Sequence, residues 1–296
     1  MKTKSISLQI AFGRSSKGFV SCGADGYLRD SLKKYLMQSK PFTYLFYVQY
    51  LGFRYHGWQK QPGVKTIQEM LERSFKGWLG HGEFKLLGAG RTDAGVSCIQ
   101  GAFELFSAYE EQLEGMVKGV NAFLPDDIRL LSASTIGPDF NIIQDVREKE
   151  YRYYFSFGEK PHPFSAPYVV VFPEVLDIPL IQEAAQLFEG MNDFRNFCTK
   201  PKPDAVFCRE ITSSSVTAFK QPESNWEIES AIYCFSVKGK GFMRNQVRLM
   251  MGTLYDLGRG KITIHELDQA LKGANDVFPL SEKAPARGLV LQEVLF

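Results

Sequence analysis

Between residues 88 and 95 the chain reads GAGRTDAG, with one arginine and one aspartate two positions apart among three glycines. Glycine costs conformational entropy and is used where the backbone must take positive φ or admit a close neighbour. The segment therefore either turns a corner or presents a side chain. As a plain turn it would carry Arg91 and Asp93 as a surface pair of little energetic weight. As a site it offers the Asp93 carboxylate on a thin backbone with a guanidinium beside it, a setting that favours the charged form. Such a carboxylate can serve a substrate as nucleophile or as base. The spacing fits neither a dinucleotide loop nor a phosphate-binding loop, because no G-x-G-x-x-G opens a helix and no Lys-Ser/Thr follows. No second carboxylate shares this context, so the paired-acid chemistry of aspartic proteases and glycosidases has no support.

Two further stretches could serve such a carboxylate. In EKEYRYYFSF (148–157) a strand would put Tyr151, Tyr153 and Phe155 on one face and Arg152 and Tyr154 on the other. That row is either core or a stacking platform for bases. In GKGFMRNQVRLMMG (239–252) a helix predicted over 242–258 would carry Arg244 and Arg248 on one face at i and i+4, suited to phosphate, carboxylate or both. Five scattered cysteines without a C-x-x-C pair, and four histidines at no ligand spacing, argue against a structural zinc. An odd, scattered thiol set suits a reducing compartment such as the cytoplasm.

The elements that must position these residues are legible in outline. At 296 residues and a formal net charge of +2, the chain has an ordinary globular composition and no apolar run of membrane-spanning length. Charge is instead local: Arg195, Lys200, Lys202 and Arg209 face one acid, Asp204, and Lys238, Lys240, Arg244 and Arg248 face none. Residues 1–41 read as a basic N-terminal extension, expected to be poorly ordered; a transit peptide or RNA-contacting arm would share its charge. From residue 42 the pattern predicts strand 43–51, a helix capped by Thr66 and stopped at Gly80, strands 84–88 and 96–106, helix 110–122 and strand 127–135. A second β-α-β-β-α-β series follows, with strand 149–157, helix 178–189, strands 208–217 and 227–237, helix 242–258, a short helix capped by Thr263, and a final strand in GLVLQEVLF. The expected fold is α+β: two ferredoxin-like halves, 42–145 and 146–296, whose antiparallel sheets join into one extended sheet with helices on one face and a cleft between the halves.

The segment GRTDAGV (90–96) resembles the signature of the tRNA pseudouridine synthase A family. Further resemblances lie in order along residues 42–296: YLGFRYHGWQKQP with TIQEMLE, VNAFLPDDIRL, EGMNDFRNF, GFMRNQVRLMMG and APARGLVL. The resemblance implies Asp93 as nucleophile, Arg91 as a residue holding the everted RNA, and Tyr151 packed on the target uracil. It further implies Arg248 as the ion-pair partner of Asp93, Leu289 as an apolar wall beneath the base, a homodimer, no cofactor and no metal, and uridines of the tRNA anticodon stem-loop as targets. Arg244, on the same basic helix segment, is expected to bind substrate. Departures from the family pattern are Ser97, Asn192 and Asn245, each where a histidine is usual, and Ile143 in place of an arginine. They suggest retained chemistry with drifted RNA contacts. Two competing readings are a non-catalytic RNA-binding or tRNA-folding protein on the same scaffold, which leaves Asp93 without a task, and an Asp-dependent hydrolase, which lacks a second carboxylate or metal set.

Overall fold

The computed structural model describes residues 40–201, 204–219, 231–274 and 279–296. The expectations for residues 1–39, Lys202 and 227–230 lie outside them. The fold is a mixed α+β arrangement built around one large sheet. Its elements are β1 (Phe42–Tyr50), α1 (Ile67–Leu79), β2 (Phe84–Gly88), β3 (Ser97–Ser107), α2 (Met116–Asn121), β4 (Ile128–Thr135), β5 (Glu148–Phe157), β6 (Val170–Phe172), α3 (Ile178–Gln186), β7 (Gly190–Asp193), β8 (Cys208–Ile211), β9 (Ser213–Phe219), β10 (Ile232–Gly239), α4 (Gln246–Gly258), α5 (Ile264–Leu271) and β11 (Leu289–Leu295).

Local chemistry explains the helix ends. Thr66 accepts a hydrogen bond from the Glu69 amide to start α1, and Gly80 ends it in the left-handed conformation at φ 75°. Thr263 and Glu266 form a complete capping box at α5. Helix α2 is shorter than the predicted 110–122. The chain before it is tied to β1, because the Glu111 amide donates to the Tyr44 hydroxyl at 2.6 Å while Ser107 donates to the Glu111 carboxylate. The helix begins only after Gly115, at φ 74°.

The main sheet runs β4-β1-β3-β11-β5-β10-β9, with β2 also paired to β3 and β6 to β5. The stretch expected as one strand over 208–217 is two strands in two sheets. It breaks at Thr212, whose amide donates to Lys238 and whose hydroxyl donates to Glu148, leaving β8 to pair with β7. The last strand lies in the middle: β11 pairs antiparallel with β5 and, through Val290 and Leu291, parallel with Ser97 and Cys98 of β3.

Two apolar clusters form the core, one around α1 and the early strands, the other around α3, α4 and α5. They interpenetrate at the β3–β11 seam. Val96 belongs to the later cluster, Leu291 and Val294 belong to the earlier one, and Tyr151 packs against both.

Candidate active site

Asp93 sits in the connection between β2 and β3, held from below by the chain that follows β1. The Trp58 amide donates to the Thr92 carbonyl at 3.1 Å, the Gly95 amide donates to Tyr55, and the Val96 amide closes back on the Asp93 carbonyl at 3.2 Å. The glycines have identifiable tasks. Gly95 takes φ 82°, and a β-carbon on Gly88 would lie 2.7 Å from the Trp58 indole. The result is a tightly anchored loop whose Asp93 side chain remains 39% exposed.

Arg248 meets it from α4, 155 positions along the chain. Its Nη1 donates to Asp93 Oδ2 at 3.0 Å, and its Nε donates to the Ala284 carbonyl at 2.8 Å. The Ala284 amide donates back to the Arg248 carbonyl at 2.9 Å, so the 282–284 segment and the helix are locked together. With its side chain 11% exposed, the guanidinium is largely removed from water and aimed at one carboxylate.

Arg244 departs from the expected shared face. Asn245, at φ 62°, caps α4, which begins at Gln246, so Arg244 lies in the preceding turn and is exposed. Asparagine tolerates this left-handed conformation better than most side chains. Arg91 is likewise exposed, beside Asp93.

The Tyr row divides. Tyr153 and Phe155 are fully buried core residues, whereas Tyr151 is partly buried with the Phe242 ring edge-on at 5.1 Å. The Tyr151 phenol is pushed up by burial first, then by Cys98 and by Asp93, which lies close enough to be felt. Leu289 opens β11 opposite Tyr153, and Leu291 stands opposite Tyr151. A methyl on Gly95 would touch Ala286 at 3.6 Å, so the Asp93 loop abuts the turn that leads into Leu289.

Sequence reasoning did not single out Phe242, Ala284 or Lys149 as site neighbours. The Lys149 ammonium donates to the Ala89 carbonyl at 2.8 Å, at the base of the Asp93 loop. Ala284 acts through its carbonyl, which any residue type supplies, so no sequence signal could have marked it. Lys149, two positions before Tyr151 on one strand face, did carry a signal.

The departing residues are engaged internally. Ser97 is buried and accepts the Gly52 amide at 2.9 Å. Asn192 donates to the carbonyls of Leu187, Phe188 and Glu189 after α3, and Asn245 donates to the Thr199 hydroxyl at 2.5 Å. Ile143 packs against the earlier apolar cluster. The basic runs are also less free than they read. Arg195 is paired with Asp193 at 2.7 Å, and Lys238 with Glu150 at 3.5 Å.

Among the described residues, no group of three or more His, Cys, Asp or Glu could hold a metal ion, and no helix is long and apolar enough to cross a membrane.

A family model described as tRNA pseudouridine synthase matches residues 47–143 and 184–296. Among curated proteins, the tRNA pseudouridine synthase A of Pelobacter propionicus is 34% identical over 249 residues, covering 84% of this chain and 97% of that protein. The protein of the same name from Exiguobacterium sibiricum is 34% identical over 249 residues, with 84% and 94% covered. That from Shouchella clausii is 32% identical over 247 residues, with 83% and 90% covered.

Proposed function

The chain belongs to the tRNA pseudouridine synthase family, and on that premise we propose that it isomerises uridine to pseudouridine in tRNA with the Asp93 carboxylate starting the reaction. The observation that carries this reading is the Arg248–Asp93 ion pair at 3.0 Å, made between segments that share no local structure. A scaffold that only bound RNA would leave the Asp93 carboxylate, 39% exposed, without a task.

The reaction breaks the bond between uracil N1 and the ribose, turns the freed base, and rejoins it through C5, which gives up its proton while N1 gains one. Nothing is oxidised or reduced, so no redox cofactor is required. A carboxylate can assist by adding to C6 of the base or by taking a proton from the sugar to give a glycal, and the Arg248 ion pair supports either role for Asp93. Tyr151, backed by Phe242, offers a partly buried aromatic surface to the loose uracil, and Leu289 supplies an apolar floor. The base must first leave its stack, at a cost of a few kcal/mol. Phosphate contacts from exposed Arg91 and Arg244 offset that cost and make binding salt-dependent.

The strand orders β4-β1-β3-β2 and β11-β5-β10-β9 are alike. They support two ferredoxin-like halves, 42–145 and 146–296, with helices on one face and the cleft between them. On this reading the enzyme acts as a homodimer in the cytoplasm on uridines of the anticodon stem-loop.

The test is to incubate wild-type and Asp93→Asn protein with unmodified tRNA transcripts and map pseudouridine at single-nucleotide resolution. Product with wild type alone is expected, at anticodon stem-loop positions. Equal product from both proteins refutes the role of Asp93. Salt-sensitive tRNA binding by both, without product from either on transcripts or on total cellular RNA, favours the binding scaffold.

A further inference from the structure

Asp93 is anchored through its neighbour as well as through Arg248. The Thr92 hydroxyl and the Tyr50 hydroxyl share a hydrogen bond of 2.9 Å. The Thr92 carbonyl is held by the Trp58 amide, and Gly57 sits so close beneath it that a β-carbon there would lie 2.5 Å from the Thr92 oxygen. Thr92 is thus pinned at both its side chain and its backbone. The Val96 amide fixes the Asp93 carbonyl on the other side.

Tyr50 ends β1 and is 4% exposed, against the Trp58 ring. Its phenol is pushed well up, first by burial and then by neighbouring Cys98, so it stays protonated and able to hydrogen-bond throughout the working pH range. Tyr50 is buried as a residue, and its hydroxyl is bonded to Thr92. Its bond to Thr92 is made to the residue that sets where Asp93 begins.

We propose that Tyr50 is a positioning residue for Asp93: through the Thr92 hydroxyl it fixes the backbone from which the carboxylate is presented to the reacting nucleoside. The inference rests on the reading of Asp93 as the group that starts the reaction. Because the interaction lies behind the loop, its loss should fall on the chemical step and leave tRNA binding intact. Misplacing a reacting group by about 1 Å can cost on the order of a hundredfold in rate.

The test uses the full chain and steady-state kinetics on a tRNA transcript, well below the melting temperature of each variant. Tyr50→Phe and Thr92→Val should each lower kcat by roughly ten- to a hundredfold with KM within about twofold of wild type. Thr92→Ser, which keeps the hydroxyl, should recover most of kcat. The double variant Tyr50→Phe/Thr92→Val should be no worse than either single change, a non-additivity that two independent structural defects would not produce. Wild-type kcat in Tyr50→Phe, additive losses in the double variant, or a Thr92→Ser loss equal to that of Thr92→Val would each overturn the proposal. Asp93→Asn is run alongside. If it is inactive while Tyr50→Phe is normal, the positioning role alone fails; if it is active, the reading of Asp93 fails and this inference with it.

Discussion

Gly252→Ala would test how the ion pair is held from the Arg248 side. Gly252 lies in α4, one turn beyond Arg248, and an ideal β-carbon at this position would stand 1.8 Å from the Glu282 carbonyl oxygen and 3.4 Å from the Ala284 nitrogen. The three nearest atoms are all backbone, so no side chain can rotate away, and helix or segment must shift by on the order of 1 Å to admit the methyl. The Arg248 Nε to Ala284 carbonyl bond is 2.8 Å long, and such a shift takes it beyond hydrogen-bonding range. Overpacking costs about 1–3 kcal/mol and a lost bond to a charged group about 1.5–3, against about 1 kcal/mol gained from alanine's helix propensity. The expected net destabilisation is about 1.5–5 kcal/mol, read by urea denaturation with the m-value unchanged. Because the freed guanidinium can no longer be aimed from two sides, kcat should fall about tenfold or more. Gly137→Ala, where nothing lies within 4 Å of the added carbon, is the control and should stay within about 0.5 kcal/mol. A Gly252→Ala protein with wild-type stability and kcat would refute the argument that the 282–284 segment positions Arg248.

Arg248→Lys should not rescue function, because one ammonium cannot reach the Ala284 carbonyl and Asp93 together as the guanidinium does at 2.8 and 3.0 Å; kcat is expected to fall ten- to a hundredfold in the same assay, and a near-wild-type value would show that charge alone suffices. Stability should also depend on acid pH through Glu150. Burial alone would raise its carboxyl, but the Arg152 bond, nearby Lys238 and the Ser236 hydroxyl hold it below the ordinary carboxylate range. A lowered folded-state value gives stability that is present above about pH 4.3 and is lost as pH falls through the folded value. Melting temperatures between pH 3 and 6 should therefore drop more steeply for wild type than for Glu150→Gln, and parallel curves would refute the assignment.

What could be read from the sequence was local. Thr66 with Glu69 and Gly80 bounded α1, and Thr263 with Glu266 marked α5, because a cap is a bond between residues three or four apart. The GRTDAGV segment named its own carboxylate, because the glycines that seat a loop must be adjacent to what it presents. Charge was legible only as a sum. The acids that neutralise Arg195 and Lys238 come from Asp193, just before the first basic run, and from Glu150 on another strand. The helical face shared by Arg244 and Arg248 failed for a similar reason: Asn245 takes φ 62° while bonded to Thr199, a partner 46 residues away that no periodicity reports.

The sequence by itself determined the residue types at the site, the family they belong to and most of the elements that carry them, since these depend on side-chain chemistry and short-range periodicity. Only the tertiary structure decided that β11 lies between β3 and β5, and that the Ala284 carbonyl aims Arg248 at Asp93 while Tyr50 holds Thr92 behind it. Those relations join residues tens to hundreds of positions apart. They are fixed by strand pairing and by which surfaces can be buried together, and neither leaves a pattern in neighbouring letters.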